Sequence, residues 1–219
     1  MAFLRTGRAD ADTGLRAGVL TGAKGTFSAG TDLKVAPKGE SPAVQGRGFG
    51  GVTETGRTKP LIAAVEGAAL AGGLELALAR DLIVAAEDAT FGPPEAGRGP
   101  IDAARGATRL PQRVPYHLAM EVLLTGEPVG GSHAGRPGLV NRVTAPGEAV
   151  AVALGLADTL ARDAPLAPAA VKSLVRAAEG VPEADLFAVQ REAALTASAD
   201  VPEGMTAYAE RRAPRWTAK

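Results

Sequence analysis

Two short runs, Leu61-Ile62-Ala63-Ala64-Val65 and Leu82-Ile83-Val84-Ala85-Ala86, are apolar without interruption. A strand with one wet face alternates apolar and polar residues. An unbroken apolar run instead marks burial on both faces, as in parallel strands covered by helices. Between the two runs, Gly72–Arg80 (GGLELALAR) opens on glycines and continues in strong helix formers. The order strand, turn, helix, strand predicts parallel strands joined by crossover helices. Gly18–Thr21 is a further short strand ahead of them.

The texture changes after these elements. Pro115–Thr125 reads as a helix started by Pro115 and stopped by Gly126, and Leu139–Val143 as a last short strand. Beyond Pro146 helices are predicted over 147–162, 166–179, 183–198 and 201–211, punctuated by Pro165, Pro182 and Pro202. The expected organisation is an α/β core over residues 1–145 and a helical region over 146–219. The glycine- and proline-rich stretch 35–58 is the least regular part and reads as a long functional loop.

Several function classes are disfavoured by what the chain lacks. Lys plus Arg equals Asp plus Glu at 24 each, well mixed, so no charge imbalance draws it to nucleic acid or an anionic membrane. There is no cysteine, hence no disulfide, thiol nucleophile or thiolate metal site. No apolar stretch approaches membrane-spanning length, and Met1–Arg8 lacks the apolar core of a secretory signal, so a cytoplasmic protein is expected. His117 and His133 stand without a partner at ligand spacing, and no metal is expected. There is no Gly-x-Ser-x-Gly elbow, Lys24 precedes Gly25 in TGAKGT rather than following a phosphate-loop glycine, and LAGGLE lacks the dinucleotide-turn spacing. Carboxylates and backbone amides remain as tools.

Two stretches combine such tools. Phe27–Leu33 (FSAGTDL) is a turn that offers mainly its amides, and Ala69–Glu75 (ALAGGLE) leads a strand into a helix beginning at Gly72. The first amides of a helix have no intrahelical acceptor. A glycine there allows close approach. One amide from the Gly30-Thr31 turn and one from Gly72 make a two-donor oxyanion hole for a carbonyl that gains charge. Glu75 lies in the first helical turn, where an ionised carboxylate is favoured. Glu95 follows Phe91-Gly92-Pro93-Pro94, an apolar setting that favours a protonated carboxyl. Two carboxyls pushed apart in this way form an acid/base pair. Spacing alone leaves a second reading open, with Glu75 a solvated helix residue, Glu95 a turn residue and the glycines a packing device.

The segments VLTGAKGTFSAGTDLK, KPLIAAVEGAALAGGLELALARDLIVAAEDATFGPPE and RVPYHLAMEVLLTGEPV with GLVNRV resemble the enoyl-CoA hydratase/isomerase (crotonase) family. The likeness runs from about Val19 to the C-terminus. It implies an α/β superhelix of ββα turns with a helical C-terminal region used in trimer contacts, hence a homotrimer or hexamer. It also implies acyl-CoA thioester substrates, with coenzyme A as part of the substrate and no separate cofactor. By the same resemblance Thr31 and Gly72 supply the oxyanion amides, Glu75 and Glu95 are the catalytic pair, and Ala29, Gly30, Asp32 and Lys34 contact substrate or CoA. The implied reaction is hydration of a trans-2-enoyl-CoA to a 3-hydroxyacyl-CoA. Double-bond isomerisation, other acyl-CoA chemistry or a non-catalytic relative are the alternatives. Only sixteen residues precede Ala17, so the family's N-terminal strand and most of the following helix are expected to be missing. The chain departs from the family's habit at Thr31, at Ala71 in place of a glycine (expected to be mild), and at Asp102–Gly106 in place of a glycine-rich turn.

Overall fold

The computed structural model describes residues 12–31, 43–94, 105–181 and 198–218. Strands β1 (Gly18–Thr21), β4 (Leu61–Val65), β6 (Leu82–Ala86) and β9 (Arg142–Thr144) form one parallel sheet in the order β1-β4-β6-β9. Between them come β2 (Ala43–Val44) with β3 (Gly48–Phe49), β5 (Ala68–Leu70), β7 (Thr90–Gly92) and β8 (Val129–Gly130). β5 pairs parallel with β7, and β7 antiparallel with β8, in a second sheet. Ser28 extends that sheet by a parallel bridge to Ala69. Each turn of the chain therefore lays one strand in each sheet. Helices α1 (Gly72–Leu78), α2 (Gly106–Arg109), α3 (Tyr116–Thr125), α4 (Gly131–Gly135), α5 (Ala149–Arg162), α6 (Leu166–Ala177) and α7 (Asp200–Glu210) complete the described elements. None is long and apolar enough to cross a membrane.

The continuous apolar runs are explained by burial on both faces. Ile62, Ala64 and Val84 face α5, whose Ala149 and Ala153 are fully buried against them. The alternate residues Ala63, Val65, Ile83 and Ala85 face the main core with Leu74, Phe91 and Leu110. Small residues on this outer face let the first helix of the C-terminal region lie close on the sheet. Removing a fully buried side chain such as Ile62 costs about 2–5 kcal/mol.

Two expectations are corrected. The last strand is Arg142–Thr144 rather than Leu139–Val143. Leu139 and Val140 are instead core-filling residues of a turn, and Asn141 fixes the approach by accepting from the Ile83 amide at 2.8 Å. Residues 43–58 of the supposed loop form an ordered, partly buried segment. Phe49, Val52 and Thr53 are buried, and Arg80 Nη2 donates to the Val52 carbonyl at 2.8 Å. Glycine density here supplies positive φ at Gly46, Gly48, Gly50 and Gly51 for tight turns rather than freedom. The turn at TGAKGT closes the same way, with Lys24 and Gly25 both at positive φ and Ala23 bridged to Thr26. The helix expected over 183–198 lies outside the described residues.

Candidate active site

Three backbone bonds bring the two singled-out stretches together. Phe27 N donates to Glu66 O, Ser28 N to Ala68 O, and Leu70 N to Ser28 O, at 2.8–2.9 Å. The chain thus runs beside β5 and delivers Ala29-Gly30-Thr31 against Ala71-Gly72. A Cβ placed on Gly30, which has φ +86°, would stand 2.9 Å from the Gly72 nitrogen. Gly73 is packed as tightly, since a Cβ there would fall 2.0 Å from the Ser28 carbonyl oxygen. A Cβ on Gly72 would strike the Phe49 ring at 2.5 Å, so the aromatic residue of the 43–58 segment lies directly against this turn. All three glycines are required by close approach. Among the described residues no acceptor takes the amides of Thr31 or Gly72.

The bend between β5 and α1 is made by Ala71, at φ 54° and ψ −126°. That region suits glycine, and a residue with a Cβ held there stores on the order of 1–3 kcal/mol of strain. The replacement of glycine at this position is therefore not mild. Ala71 is held by its own amide, which donates to Gly92 O at 2.9 Å. The end of β7 is thereby fixed beside the same turn, and Gly92-Pro93-Pro94 leads away from it towards residue 95.

Glu75 is buried, one turn into α1, with 5 % of its surface exposed. Its Oε1 accepts from the Gly106 amide at 3.4 Å, the first amide of α2. Arg109, at the end of that short helix, donates to the Thr53 carbonyl at 2.5 Å. Burial holds the Arg109 guanidinium below its ordinary pKa, and the neighbouring Arg105 and Arg113 add to this while Glu75 opposes it. The charge of Arg109 thus reaches the buried carboxyl of Glu75, which an apolar core would not provide.

Of the residues expected at the site, Ala29, Gly30, Thr31, Gly72 and Glu75 are brought together. Asp32, Lys34 and Glu95 lie outside the described residues. Phe49, Ala71, Gly106 and Arg109 were not singled out for this role by their sequence pattern. Ala71 and Gly106 carried a signal, the first as the alanine ahead of two glycines at a strand-to-helix turn and the second within the Asp102–Gly106 departure from the family's glycine-rich turn. The profile of the family described as "Enoyl-CoA hydratase/isomerase" matches residues 6–219. The chain belongs to this family.

Among solved structures, enoyl-CoA hydratase from Mycobacterium tuberculosis is 48% identical, with a TM-score of 0.93 over 97% of this chain and 84% of that one. A carnitinyl-CoA hydratase from Mycobacterium avium is 41% identical, with a TM-score of 0.74 over 97% of this chain and 85% of that one. The carnitinyl-CoA dehydratase of Proteus mirabilis is 40% identical over 215 residues, 94% of this chain and 82% of the relative. The crotonase fold expected from the sequence is the fold observed, and both structural relatives share it.

Proposed function

We propose that the chain is an enoyl-CoA hydratase that adds water across the 2,3 double bond of a trans-2-enoyl-CoA. The observation that carries this reading is the convergence of the Gly30-Thr31 turn on the Gly72 amide, one helical turn from the buried Glu75. In this reading the Thr31 and Gly72 amides hold the thioester oxygen as it becomes an enolate, the state in which such donors act most strongly. Glu75 orients a water and takes its proton as oxygen bonds to the β-carbon. In the same reading Glu95 gives a proton to the α-carbon. Ala29, Gly30, Asp32 and Lys34 contact substrate or CoA in this reading. Relatives named hydratase and dehydratase catalyse one C–O bond change read in opposite directions, which supports a hydro-lyase over an isomerase.

The test is loss of enoyl-thioester absorbance with crotonyl-CoA and a longer enoyl-CoA. Wild type is expected to turn over at least one of them. Glu75→Gln and Glu95→Gln are expected to lose two or more orders in kcat, the scale of a removed general acid or base. A folded wild type inert on both substrates, or variants as active as wild type, overturns the reading.

A further inference from the structure

The peptide that carries the Gly72 amide is under tension. It follows Ala71, whose φ of 54° and ψ of −126° hold strain that a rotation of the Ala71–Gly72 peptide would release. The bond from the Ala71 amide to the Gly92 carbonyl belongs to the preceding peptide and does not oppose this rotation. The Ala71 carbonyl accepts from the Glu75 amide at 3.2 Å, the long end of the usual range. Gly72 has no side chain to resist, and glycine adopts most backbone conformations. Any rotation re-aims its N–H.

Phe49 supplies the restraint that Gly72 lacks. A Cβ built on Gly72 would lie 2.5 Å from Phe49 Cζ, 2.7 Å from Cε1 and 3.0 Å from Cε2. These atoms are the tip of the ring. Cζ is therefore within about 4 Å of the Gly72 Cα, in van der Waals contact. The tip fills the space that a side chain at 72 would take. Phe49 is itself fixed: it pairs with Ala43, is buried, and stands between Gly48 and Gly50, both at positive φ. Gly51 N donates to Gly48 O at 3.0 Å and Val52 N to Phe49 O at 3.2 Å. At the other end of α1 a cavity of about 1210 Å³ opens between residues 53–56, α2, α6 and the segment at Pro214 and Trp216. Arg80 borders it and donates to the Val52 carbonyl at 2.8 Å. The turn over residues 48–52 thus meets α1 at both ends, with a ring at Gly72 and a carbonyl at Arg80.

We propose that Phe49 is a positioning residue for the oxyanion donor, its ring tip keeping the Ala71–Gly72 peptide in the orientation that holds the Gly72 amide beside the Gly30-Thr31 turn. The proposal rests on the reading that places the thioester oxygen at the Thr31 and Gly72 amides. Alignment of such a donor matters most where charge develops, so its loss weakens an enolate far more than a ground-state thioester. The contact also explains the glycine. Gly72 is the first residue of α1 and lies outside the left-handed region, so an alanine there fits the backbone and keeps the amide. The three nearest obstacles to its methyl are all Phe49 ring atoms.

The test uses acetoacetyl-CoA, whose enolate absorbs in the near ultraviolet where the keto form does not, beside butanoyl-CoA, which forms no stable enolate. Wild type is compared with Phe49→Leu, Gly72→Ala and their double variant. Leucine keeps a buried apolar side chain but stops short of Cζ. Wild type is expected to bind acetoacetyl-CoA with the enolate band. Phe49→Leu is expected to shift the bound ligand about tenfold towards the keto form, with butanoyl-CoA affinity changed by less than about threefold. Gly72→Ala is expected to lose the band, because methyl and ring cannot share one space. In the double variant the methyl enters the vacated space, and roughly half of the lost band is expected to return. Val52→Ala loosens the same turn but keeps the carbonyl for Arg80, and it is expected to retain the band. If Gly72→Ala does not fold, the double variant measured against Phe49→Leu decides. The proposal is overturned by an undiminished band in Phe49→Leu, by equal losses in Val52→Ala and Phe49→Leu, by a parallel fall in butanoyl-CoA affinity, or by a double variant no better than Phe49→Leu. Each of these leaves the oxyanion reading in place. A wild type that binds acetoacetyl-CoA only as the keto form removes that reading and the proposal with it.

Discussion

The two ends of helix α1 are built on opposite plans. At Gly72 the surroundings are main chain and small residues, with Gly30, Gly72 and Gly73 at contacts where one added methyl has no room. At Arg80 they are long charged side chains, with Asp81 receiving the Leu61 amide at 2.7 Å, Lys172 at 2.6 Å and Arg176 at 3.6 Å. Backbone-built geometry tolerates almost no substitution, because every donor is fixed by the fold. Side-chain-built geometry can re-pair after a change. The first end is a rigid frame of main chain and the second an adaptable set of ion pairs.

The sharpest way to break this contrast is Gly73→Ala. With the new Cβ 2.0 Å from the Ser28 carbonyl, the β5 crossing must move. A loss of about 3 kcal/mol or more is expected by urea denaturation, together with loss of activity. A variant as stable as wild type would show that the turn is not locked. Asp81→Asn probes the other end. It removes the charge facing Lys172 and Arg176 but keeps an acceptor for the Leu61 amide, and a loss of about 2 kcal/mol is expected because Lys172 is mostly buried. A larger loss than that of Gly73→Ala would invert the comparison.

Ala71→Gly works in the opposite direction. It releases the positive φ of the bend at the cost of some chain entropy, and a net gain of about 1 kcal/mol is expected in the same denaturation measurement. A loss would mean that the Ala71 methyl contributes packing that outweighs its backbone.

The smallest effect concerns the segment that borders the cavity. Asp200 accepts from the Thr217 and Ala218 amides, and Glu203 takes Arg212 through both oxygens and the Arg215 amide. Hydrogen bonds from Arg212 and Arg215 lower the Glu203 carboxyl to about 2, and the Thr217 and Ala218 bonds lower that of Asp200. A carboxyl depressed in the folded state contributes stability above its unfolded pKa and loses it as pH falls towards the folded value. Amide hydrogen exchange at Arg215, whose amide donates to Glu203, is therefore expected to quicken as pH falls from about 4.5 to 2, relative to intrinsic exchange. Constant protection across that window would sink the assignment.

The difference between the two ends also governs what could be read from the sequence. The amide-rich turn at Phe27–Thr31, the glycines at Gly72 and Gly73, and Glu75 in the first turn follow from local rules of strand, turn and helix. Their meeting follows from parallel pairing of consecutive strands. The strands β4 and β6 were legible for the same reason, as unbroken apolar runs. Phe49 was not, because its place under Gly72 depends on the path of the 43–58 segment, which local composition describes only as turns. Arg109 and Gly106 were not, because their partners Thr53 and Glu75 are 56 and 31 residues away in the chain. The strand at Leu139–Val143 slipped because Leu139 and Val140 are apolar for core filling, and apolar character does not distinguish that from pairing.

Trp216 is the one tryptophan in the chain, and its indole nitrogen donates to the Arg162 carbonyl at 2.8 Å while its ring borders the cavity. The chain therefore carries a single indole fluorophore, and it borders this cavity. Its emission and its quenching by iodide provide a label-free report on the packing of the Arg162 and Trp216 segments around that cavity.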